Sequence, residues 1–181
     1  MTTLQQLDGT YVIDPTHSQL GFVARHAMVT KVRGTFDEFE GTATTGAGLQ
    51  GASIEITAQM ASIDTRNADR DGHLRTGDFF EVEKYPTMTF RSTSVQAKDE
   101  DTLAVTGDLT IKDVTRPITI DFAYAGAAQD PYGNERIGFE GSATIVRSEF
   151  GITFNAALET GGVLVSDKIQ LEIEVSAIKQ A

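Results

Sequence analysis

Hydrophobic and polar residues alternate with a period of two along most of the chain. In segment 168–177, Ile169, Leu171, Ile173, Val175 and Ala177 alternate with lysine, glutamine, glutamate and serine. Segments 54–60 and 118–124 alternate in the same way. Because successive side chains of a strand point to opposite faces, this pattern predicts antiparallel strands with one apolar and one polar face. A period of 3.6 residues barely appears, so the sequence predicts an all-β fold.

Six further segments bring the predicted strands to about nine. They are Thr10–Ile13, Gln19–Met28, Val32–Thr44, Thr87–Gln96, Thr102–Ile111 and Arg136–Arg147. Several are longer than the usual roughly five to six residues, which favours an elongated barrel. Residues typical of turns lie at Asp14-Pro15, Gly46–Gly51, Lys98–Asp101, Lys112–Arg116, Ala128–Asn134 and Gly161-Gly162. No linker or internal repeat divides the chain, so we expect an N-terminal extension over residues 1–9 and one barrel domain over residues 10–181.

The segment Thr65–Tyr85 departs from this alternation. It is rich in charged residues and predicts a short helix, or two, near residues 66–82. Its apolar residues Leu74, Phe79 and Phe80 suit contact with a hydrophobic interior. We therefore expect the segment to cover an open end of the barrel.

Net charge, cysteine content and the length of apolar runs exclude several classes of function. Fifteen Lys and Arg against 26 Asp and Glu give a formal net charge of −11, which repels nucleic acid and anionic membrane surfaces. The chain has no cysteine, and this excludes disulfides, thiolate metal sites and cysteine nucleophiles. No apolar run approaches the roughly 18 residues of a membrane-spanning helix. Residues Met1–Gly9 lack the features of a signal peptide, so we expect a cytoplasmic protein without integral membrane association.

Two motifs resemble ligand-binding loops. Gly46–Gly51 matches the G-x-G-x-x-G pattern of dinucleotide folds, but an alternating strand follows it, so we interpret it as a hairpin turn. Asn67–Asp78 resembles an EF-hand calcium loop. Asp78 replaces the bidentate glutamate, and Arg70 and Arg75 oppose a cation. We interpret this loop as a solvated cap in which Asp71 pairs with Arg75, and we expect no metal site.

Two ionisable residues share the strand face of apolar neighbours. His26 has the parity of Phe22 and Met28, and Arg147 has the parity of Ile145. They are candidate groups for fixing the polar head of a ligand in an apolar cavity. The alternative is that Arg147, at a strand end, reaches water or a carboxylate. The candidate wall residues are Phe22, Met28, Phe36, Phe79, Phe80, Phe90, Phe122, Tyr124, Phe139 and Phe154.

Nothing in the sequence points to catalysis. No G-x-S-x-G motif is present, and Ser18 beside His17 would point to the opposite strand face. We therefore expect a binding protein and not an enzyme.

The order of several motifs resembles the YceI-like family of bacterial lipocalin-like proteins over roughly residues 10–178. The resemblance rests on Tyr11-Val12-Ile13-Asp14-x-x-His17-Ser18, Phe22-x-x-x-His26, Gly34-x-Phe36-x-x-Phe39-x-Gly41, Ala61-Ser62-Ile63-Asp64-Thr65, Asp71-x-His73-Leu74-x-x-x-Asp78-Phe79-Phe80, Pro86-x-Met88-x-Phe90-x-Ser92, Gly107-x-Leu109-Thr110-Ile111-x-x-Val114-Thr115-x-Pro117 and Arg147-x-x-Phe150-Gly151. The family commonly has glycine after the position of Lys112, where this sequence has Asp113.

The resemblance implies an extended eight-stranded antiparallel barrel with a short helical segment near one end. Its interior would hold a polyisoprenoid, an isoprenoid quinone or a fatty-acid-like lipid for carriage, storage or sequestration, with no other cofactor. Many relatives look exported, and many are dimers, so the resemblance also suggests a homodimer. The alternatives are an interaction module with a filled core and, less favoured, an enzyme acting on a hydrophobic small molecule inside the barrel.

Overall fold

Eleven antiparallel strands and one α-helix make up most of the computed structural model, which describes residues 2–158 and 164–181. The strands are β1 (Gly9–Ile13), β2 (Gln19–His26), β3 (Thr30–Phe36), β4 (Phe39–Thr45), β5 (Ser53–Gln59), β6 (Ile63–Asp64), β7 (Thr87–Ala97), β8 (Thr102–Ile111), β9 (Val114–Gln129), β10 (Glu135–Val146) and β11 (Lys168–Lys179). The helix α1 spans Ala68–Leu74, and short 3-10 turns lie at Leu4–Gln6, Pro15–His17, Ala47–Leu49, Met60–Ser62 and Arg147–Phe150. None of the helices in these residues is long and apolar enough to cross a membrane.

The eleven strands occupy eight positions in a closed barrel. β11 pairs with β1 through residues 177–179 and with β2 through residues 170–174, so β1 and β2 are successive parts of one wall position. β3 and β4 share the next position, and β5 and β6 share the third. β7 to β11 complete the ring, which closes where β11 meets β1. The predicted eight-stranded all-β barrel is therefore confirmed.

Two predicted strands run across a turn of the structure. The segment Val32–Thr44 is two strands and not one, because the chain changes partners at residues 37–38: β3 pairs with β2, and β4 pairs with β1. The strand predicted to reach Met28 ends at His26. Ala27 and Met28 have φ values of 50° and 61°, which are turn conformations that a strand cannot contain.

Each turn predicted within the described residues joins two successive strands. Gly46–Gly51 joins β4 to β5 as a hairpin, with Gly48 and Gly51 in the left-handed region. Lys112 and Asp113, between β8 and β9, also have positive φ values, of 51° and 60°. Asp113 thus adopts the conformation for which glycine is best suited. The predicted turn at Gly161-Gly162 lies outside the described residues.

Residues 2–8 close one end of the barrel, here called the upper end. Leu4 and Leu7 are almost fully buried in the same hydrophobic core as the strands. The Tyr124 hydroxyl donates a hydrogen bond of 2.8 Å to the carbonyl oxygen of Thr2. The segment predicted as an N-terminal extension over residues 1–9 thus contributes two leucines to the core.

The excursion between β6 and β7 closes the opposite, lower end. α1 begins after Asn67, whose side chain accepts a hydrogen bond from the Arg70 backbone N–H at 2.9 Å. The predicted helical segment therefore contains one short α-helix. Leu74, Phe79 and Phe80 of this excursion pack against the barrel core, as the sequence predicted.

An ionic network ties the outer surface of β1 to β10. The Arg136 guanidinium donates to Asp14 at 2.8 Å and to Asp130 at 2.7 Å, and His17 lies 2.8 Å from the same Asp14 carboxylate. The hydrogen bond from Arg136 holds the pKa of Asp14 well below its usual range, and it lowers the pKa of Asp130 to about 2. Both carboxylates therefore stay ionised in the folded protein at pH values where they would be protonated in the unfolded chain.

We expect stability to fall as the pH is lowered below about 4, because the unfolded chain then binds protons that folded Asp14 and Asp130 resist. Replacement of Arg136 by methionine should reduce the steepness of this loss between pH 4 and pH 2. The measurement is urea unfolding at several pH values. Lys98→Met removes a far more exposed ion pair with Asp121 and is the control. An unchanged slope in Arg136→Met would contradict the prediction.

Candidate functional site: an apolar lumen

Three cavities follow one another along the interior of the barrel. The lower cavity, of about 100 Å³, adjoins the α1 end, the middle cavity holds about 70 Å³ and the upper cavity about 60 Å³. Each exceeds the roughly 10–15 Å³ that a water molecule needs, but apolar cavities of this kind stay dry. Thr89 and Arg147 are the polar side chains among the described residues that line them. The core of this barrel is therefore not filled.

Shared side chains separate neighbouring cavities. Phe36, Met88 and Leu171 border both the lower and the middle cavity. Ile54, Ile56 and Phe122 border both the middle and the upper cavity. Side-chain rotation at these two constrictions would join the cavities into one elongated channel. Met88 suits such a position because its unbranched side chain has several low-energy conformers.

Phenylalanine rings that line the cavities lie against inward-facing glycines. Phe22 pairs with Gly34 across β2 and β3, and Phe122 pairs with Gly141 across β9 and β10. A Cβ atom placed on Gly141 would lie 2.6 Å from Phe122, and one on Gly34 would overlap the Phe22 ring. The missing side chains let the rings lie over the glycine backbone, which leaves space along the barrel axis.

Eight of the twelve predicted site residues line the cavities. Phe22, Phe36, Phe79, Phe80 and Arg147 lie around the lower cavity, Phe36, Phe90 and Phe122 around the middle one, and Phe122 and Phe139 around the upper one. Phe154 packs outside them, with its ring centroid 5.2 Å from that of Phe79. Tyr124 lies beside the N-terminal segment, and burial raises the pKa of its hydroxyl.

The inward placement predicted for His26 and Met28 is wrong. Both side chains are exposed, and 63% of the Met28 surface is accessible. Strand parity fails here because β2 ends at His26 and the chain turns beyond the wall of the barrel. His26 therefore does not converge with Arg147 on a ligand head.

Arg147 is buried, but it bonds to the backbone and not to a carboxylate. Its guanidinium donates to the carbonyl oxygens of Ile152 and Ser166, each at 2.9 Å, and of Val165 at 3.3 Å. These bonds tie the Arg147–Phe150 turn to residues 165–166, which lead into β11. Burial lowers the pKa of Arg147, while the negative charge of Asp167 acts in the opposite direction. Among the described residues no carboxylate pairs with this side chain, and its burial keeps it from bulk solvent.

Most cavity-lining residues are aliphatic, and the predicted site did not include them. They are Leu20, Ile54, Ile56, Leu109, Ile118, Ile120, Leu171 and Ile173 around the middle cavity, and Leu74, Ile111, Ile145, Ile152, Val165 and Ile169 around the lower one. Their strand parity is the same as that of the predicted aromatic residues in most cases. The alternation itself was therefore a better signal for the site than aromatic character.

In the loop that resembles a calcium site, two carboxylates are hydrogen-bonded to other groups of the protein. Asp71 is buried and accepts hydrogen bonds from the backbone N–H and hydroxyl of Thr65. Asp78 lies 2.8 Å from the His73 ring. The predicted Asp71–Arg75 pair is wrong, since the Arg75 guanidinium donates to the carbonyl oxygens of residues 61 and 63.

We expect this loop to bind calcium with a dissociation constant weaker than about 10 μM, because the carboxylates of Asp71 and Asp78 are already hydrogen-bonded and two arginines lie within it. Isothermal titration of the protein with calcium chloride is the measurement. Asp71→Asn, which keeps the size of the side chain, provides a comparison. Tight binding by the wild type that is lost in Asp71→Asn would contradict the prediction.

Comparison with known proteins places this barrel in a family. A family model for the YceI-like domain matches residues 11–177. A UPF0312 protein of Ectopseudomonas mendocina is 36% identical over 179 residues, covering 97% of this chain and 91% of that protein. A UPF0312 protein of Staphylococcus aureus is 38% identical over 165 residues, covering 90% of this chain and 93% of that protein.

Several solved structures have a fold similar to that of this chain. A YceI protein of Campylobacter jejuni superimposes with a TM-score of 0.74 at 32% identity, covering 87% of this chain and 90% of that one. BcnA of Burkholderia cenocepacia gives a TM-score of 0.79 at 23% identity, with coverages of 91% and 98%. A polyisoprenoid-binding domain of Saccharophagus degradans gives 0.72 at 17%, with coverages of 94% and 98%. The match to the family model over residues 11–177 and the two relatives that are more than 30% identical over most of the chain show that the chain belongs to the YceI-like family.

Proposed function

We propose that this protein binds one long-chain apolar molecule inside the barrel, for carriage, storage or sequestration. The observation that carries the proposal is the row of three dry cavities that share wall residues along the barrel axis. An unbranched or isoprenoid chain suits this shape, because a compact ligand of similar size would have to widen the wall. Polyisoprenoids, isoprenoid quinones and fatty-acid-like lipids are the candidate classes.

Two further observations support the proposal. The related domain of Saccharophagus degradans is a polyisoprenoid-binding domain with the same fold. Each methylene transferred from water into such a lumen gains about 0.8 kcal/mol, so a long chain can displace the constricting side chains. The charged and polar faces of the strands point outward, which keeps the exterior compatible with water.

We propose binding and not catalysis. Arg147 is the ionisable side chain that lines the cavities in the described part of the chain, and its guanidinium is bonded to three carbonyl groups. General acid–base or nucleophilic chemistry needs a group that can exchange a proton or attack a substrate, and guanidinium does neither near neutral pH. Three of its five N–H donors are used in those bonds, so two remain available for a hydrogen bond to a polar ligand head.

Native mass spectrometry with lipid extraction tests the proposal. We expect the purified protein to carry one apolar molecule, or to take one up from added all-trans isoprenoid alcohols. Ala24→Leu adds three carbon atoms beside the lower cavity and should lower the occupied fraction. Ala123→Leu makes the same change on the outer face and should not. A wild-type protein that neither carries nor takes up an apolar molecule would contradict the proposal.

A further inference from the structure

The hairpin tip between β2 and β3 exposes apolar side chains at the lower end of the barrel. Met28 is 63% exposed and Val29 is 74% exposed, and they are neighbours in the chain. In the described residues the other large apolar side chains that are exposed, Val12 and Tyr132, lie singly on other elements. Two adjacent exposed apolar residues at the end of a protruding hairpin need a physical explanation.

The backbone holds this tip in a tight turn that suits other residues better. The Val29 N–H donates to the His26 carbonyl at 3.0 Å, and the two residues between them have positive φ values. Glycine, which has no β-carbon, and asparagine, whose short polar side chain can hydrogen-bond locally, normally occupy such positions. Here they are Ala27 and Met28. The sequence thus has apolar residues where neither the turn nor the solvent favours them.

Basic residues surround the tip. From residue 15 to residue 36 the sequence contains no aspartate or glutamate, although the whole chain has 26 of them. Arg25 and Lys31 lie directly opposite each other on the two strands, and Arg33 follows on the same outer face. Like charges in register are destabilising. No carboxylate of the described residues lies within 4.0 Å of these three cations.

The same positive charge continues across a groove on the outer face. Lys31, Arg33, Arg66 and Arg70 line this groove of about 590 Å³, together with the acidic residues Asp64 and Glu172. Thr65 fixes the Arg70 guanidinium, accepting a hydrogen bond at its hydroxyl and another at its carbonyl. The groove therefore carries an excess of two positive charges in a protein whose net charge is −11.

We propose that the β2–β3 tip is a docking site for the surface of an anionic lipid bilayer. Met28 and Val29 enter the interfacial layer, and Arg25, Lys31 and Arg33 contact lipid phosphates. The overall negative charge does not prevent this, because charges farther than roughly 8 Å from the surface are largely screened at physiological ionic strength. Only the residues that face the bilayer at close range determine the attraction.

A bilayer fits this tip better than a second copy of the chain does. Two side chains cannot bury the roughly 1,000 Å² that a stable protein interface needs, whereas shallow insertion into a bilayer needs no matching protein surface. The tip also adjoins the lumen: Phe22 and Ala24 of the same hairpin line the lower cavity, and His26 forms a β-bridge with Val165, another lining residue. Docking would bring the lower cavity next to a source of apolar ligands, an argument that rests on the proposed function.

Sedimentation with vesicles tests the docking without reference to any bound ligand. The probes are vesicles of phosphatidylcholine alone and of phosphatidylcholine with 30% phosphatidylglycerol. We expect wild-type protein to bind the anionic vesicles and to be released at about 0.5 M salt, where the Debye length is only a few ångströms. Met28→Ser combined with Val29→Ser should weaken binding by about tenfold, since the buried apolar area is lost. Tyr132→Ser, at an exposed turn between β9 and β10, should bind like the wild type.

A charge-matched pair of variants tests the basic residues. Lys31→Glu with Arg33→Glu should weaken binding by roughly 30-fold, because each basic residue near an anionic surface contributes about fivefold. Arg91→Glu with Lys98→Glu changes the net charge equally but lies on and beyond β7, and it should have a small effect. Equal losses in both double variants would mean that only net charge matters and would overturn the proposal.

The remaining outcomes are also decisive. Absence of wild-type binding to anionic vesicles, or wild-type-like binding by the serine double variant, would overturn the docking site. If sedimentation velocity without vesicles shows a dimer that the serine variant abolishes, the tip is an interface between copies and the proposal is wrong. Lipid content, measured separately by mass spectrometry, distinguishes failure of docking from failure of the proposed ligand binding.

Discussion

Replacement of Phe122 by aspartate is expected to abolish both ligand occupancy and stable folding. Phe122 is buried, lines the middle and upper cavities and packs edge-on against Phe139. Loss of the ring alone costs about 3–5 kcal/mol, and an unpaired buried carboxylate costs several kcal/mol more. The sum is similar to the whole stability of a typical domain, about 5–15 kcal/mol.

Circular dichroism with urea titration measures this effect. Thr119→Asp places the same charge on the outer face of β9 and should remain folded, with a loss within about 1 kcal/mol. Phe122→Leu keeps the site apolar and should fold with reduced stability. If Phe122→Asp has a wild-type unfolding midpoint and wild-type lipid content, neither the buried position of Phe122 nor its place in the lumen can be correct.

Replacement of Arg147 by methionine is expected to lower the free energy of unfolding by about 2–4 kcal/mol, because it leaves buried carbonyl groups without donors. Methionine fills a similar volume, so the lost hydrogen bonds and not a cavity would dominate. If the ligand has a polar or anionic head near Arg147, the same variant should also shift the co-purified lipids towards uncharged heads. Total occupancy should change little, since the apolar chain contributes most of the affinity.

Arg147→Lys separates these two effects. Lysine keeps the positive charge but cannot reproduce the planar set of bonds to three carbonyl groups. We expect it to lose much of the stability while keeping the wild-type lipid profile. Identical lipid profiles in the wild type, the lysine variant and the methionine variant would show that Arg147 acts only on the structure, and the proposed contact with a ligand head would be withdrawn.

The wall of the barrel could be predicted from sequence because one physical signal, alternation, fixes both the strand and the face of each residue. Phe36, Phe90 and Phe139 were placed correctly on that basis. The same signal failed at His26 and Met28, where parity continues in the sequence but the strand does not. β2 ends because Ala27 and Met28 adopt positive φ values. Alanine and methionine are not usual residues in such turns, so nothing in the sequence signals that the strand ends there.

Interactions between distant segments could not be predicted either. Arg147 donates hydrogen bonds to backbone carbonyl groups up to nineteen residues away. Every residue type has a backbone carbonyl, so the sequence does not show which residues provide the acceptors. The packing of Phe122 over Gly141 depends on the register of β9 and β10, which the sequence alone does not fix. Leu4 and Leu7 lie in a short turn without strand alternation, so their burial had no periodic signal.

The closure of the barrel has a consequence for how the chain folds. β11 pairs with β10 on one side and with both β1 and β2 on the other, so Tyr11 can meet Lys179 only when the whole segment between them is present. Until then β1 and β10 both present unpaired edges, and the apolar inner face is open to solvent. Contacts of such long sequence separation form slowly. A partly folded chain therefore exposes both strand edges and apolar surface until β11 joins β1.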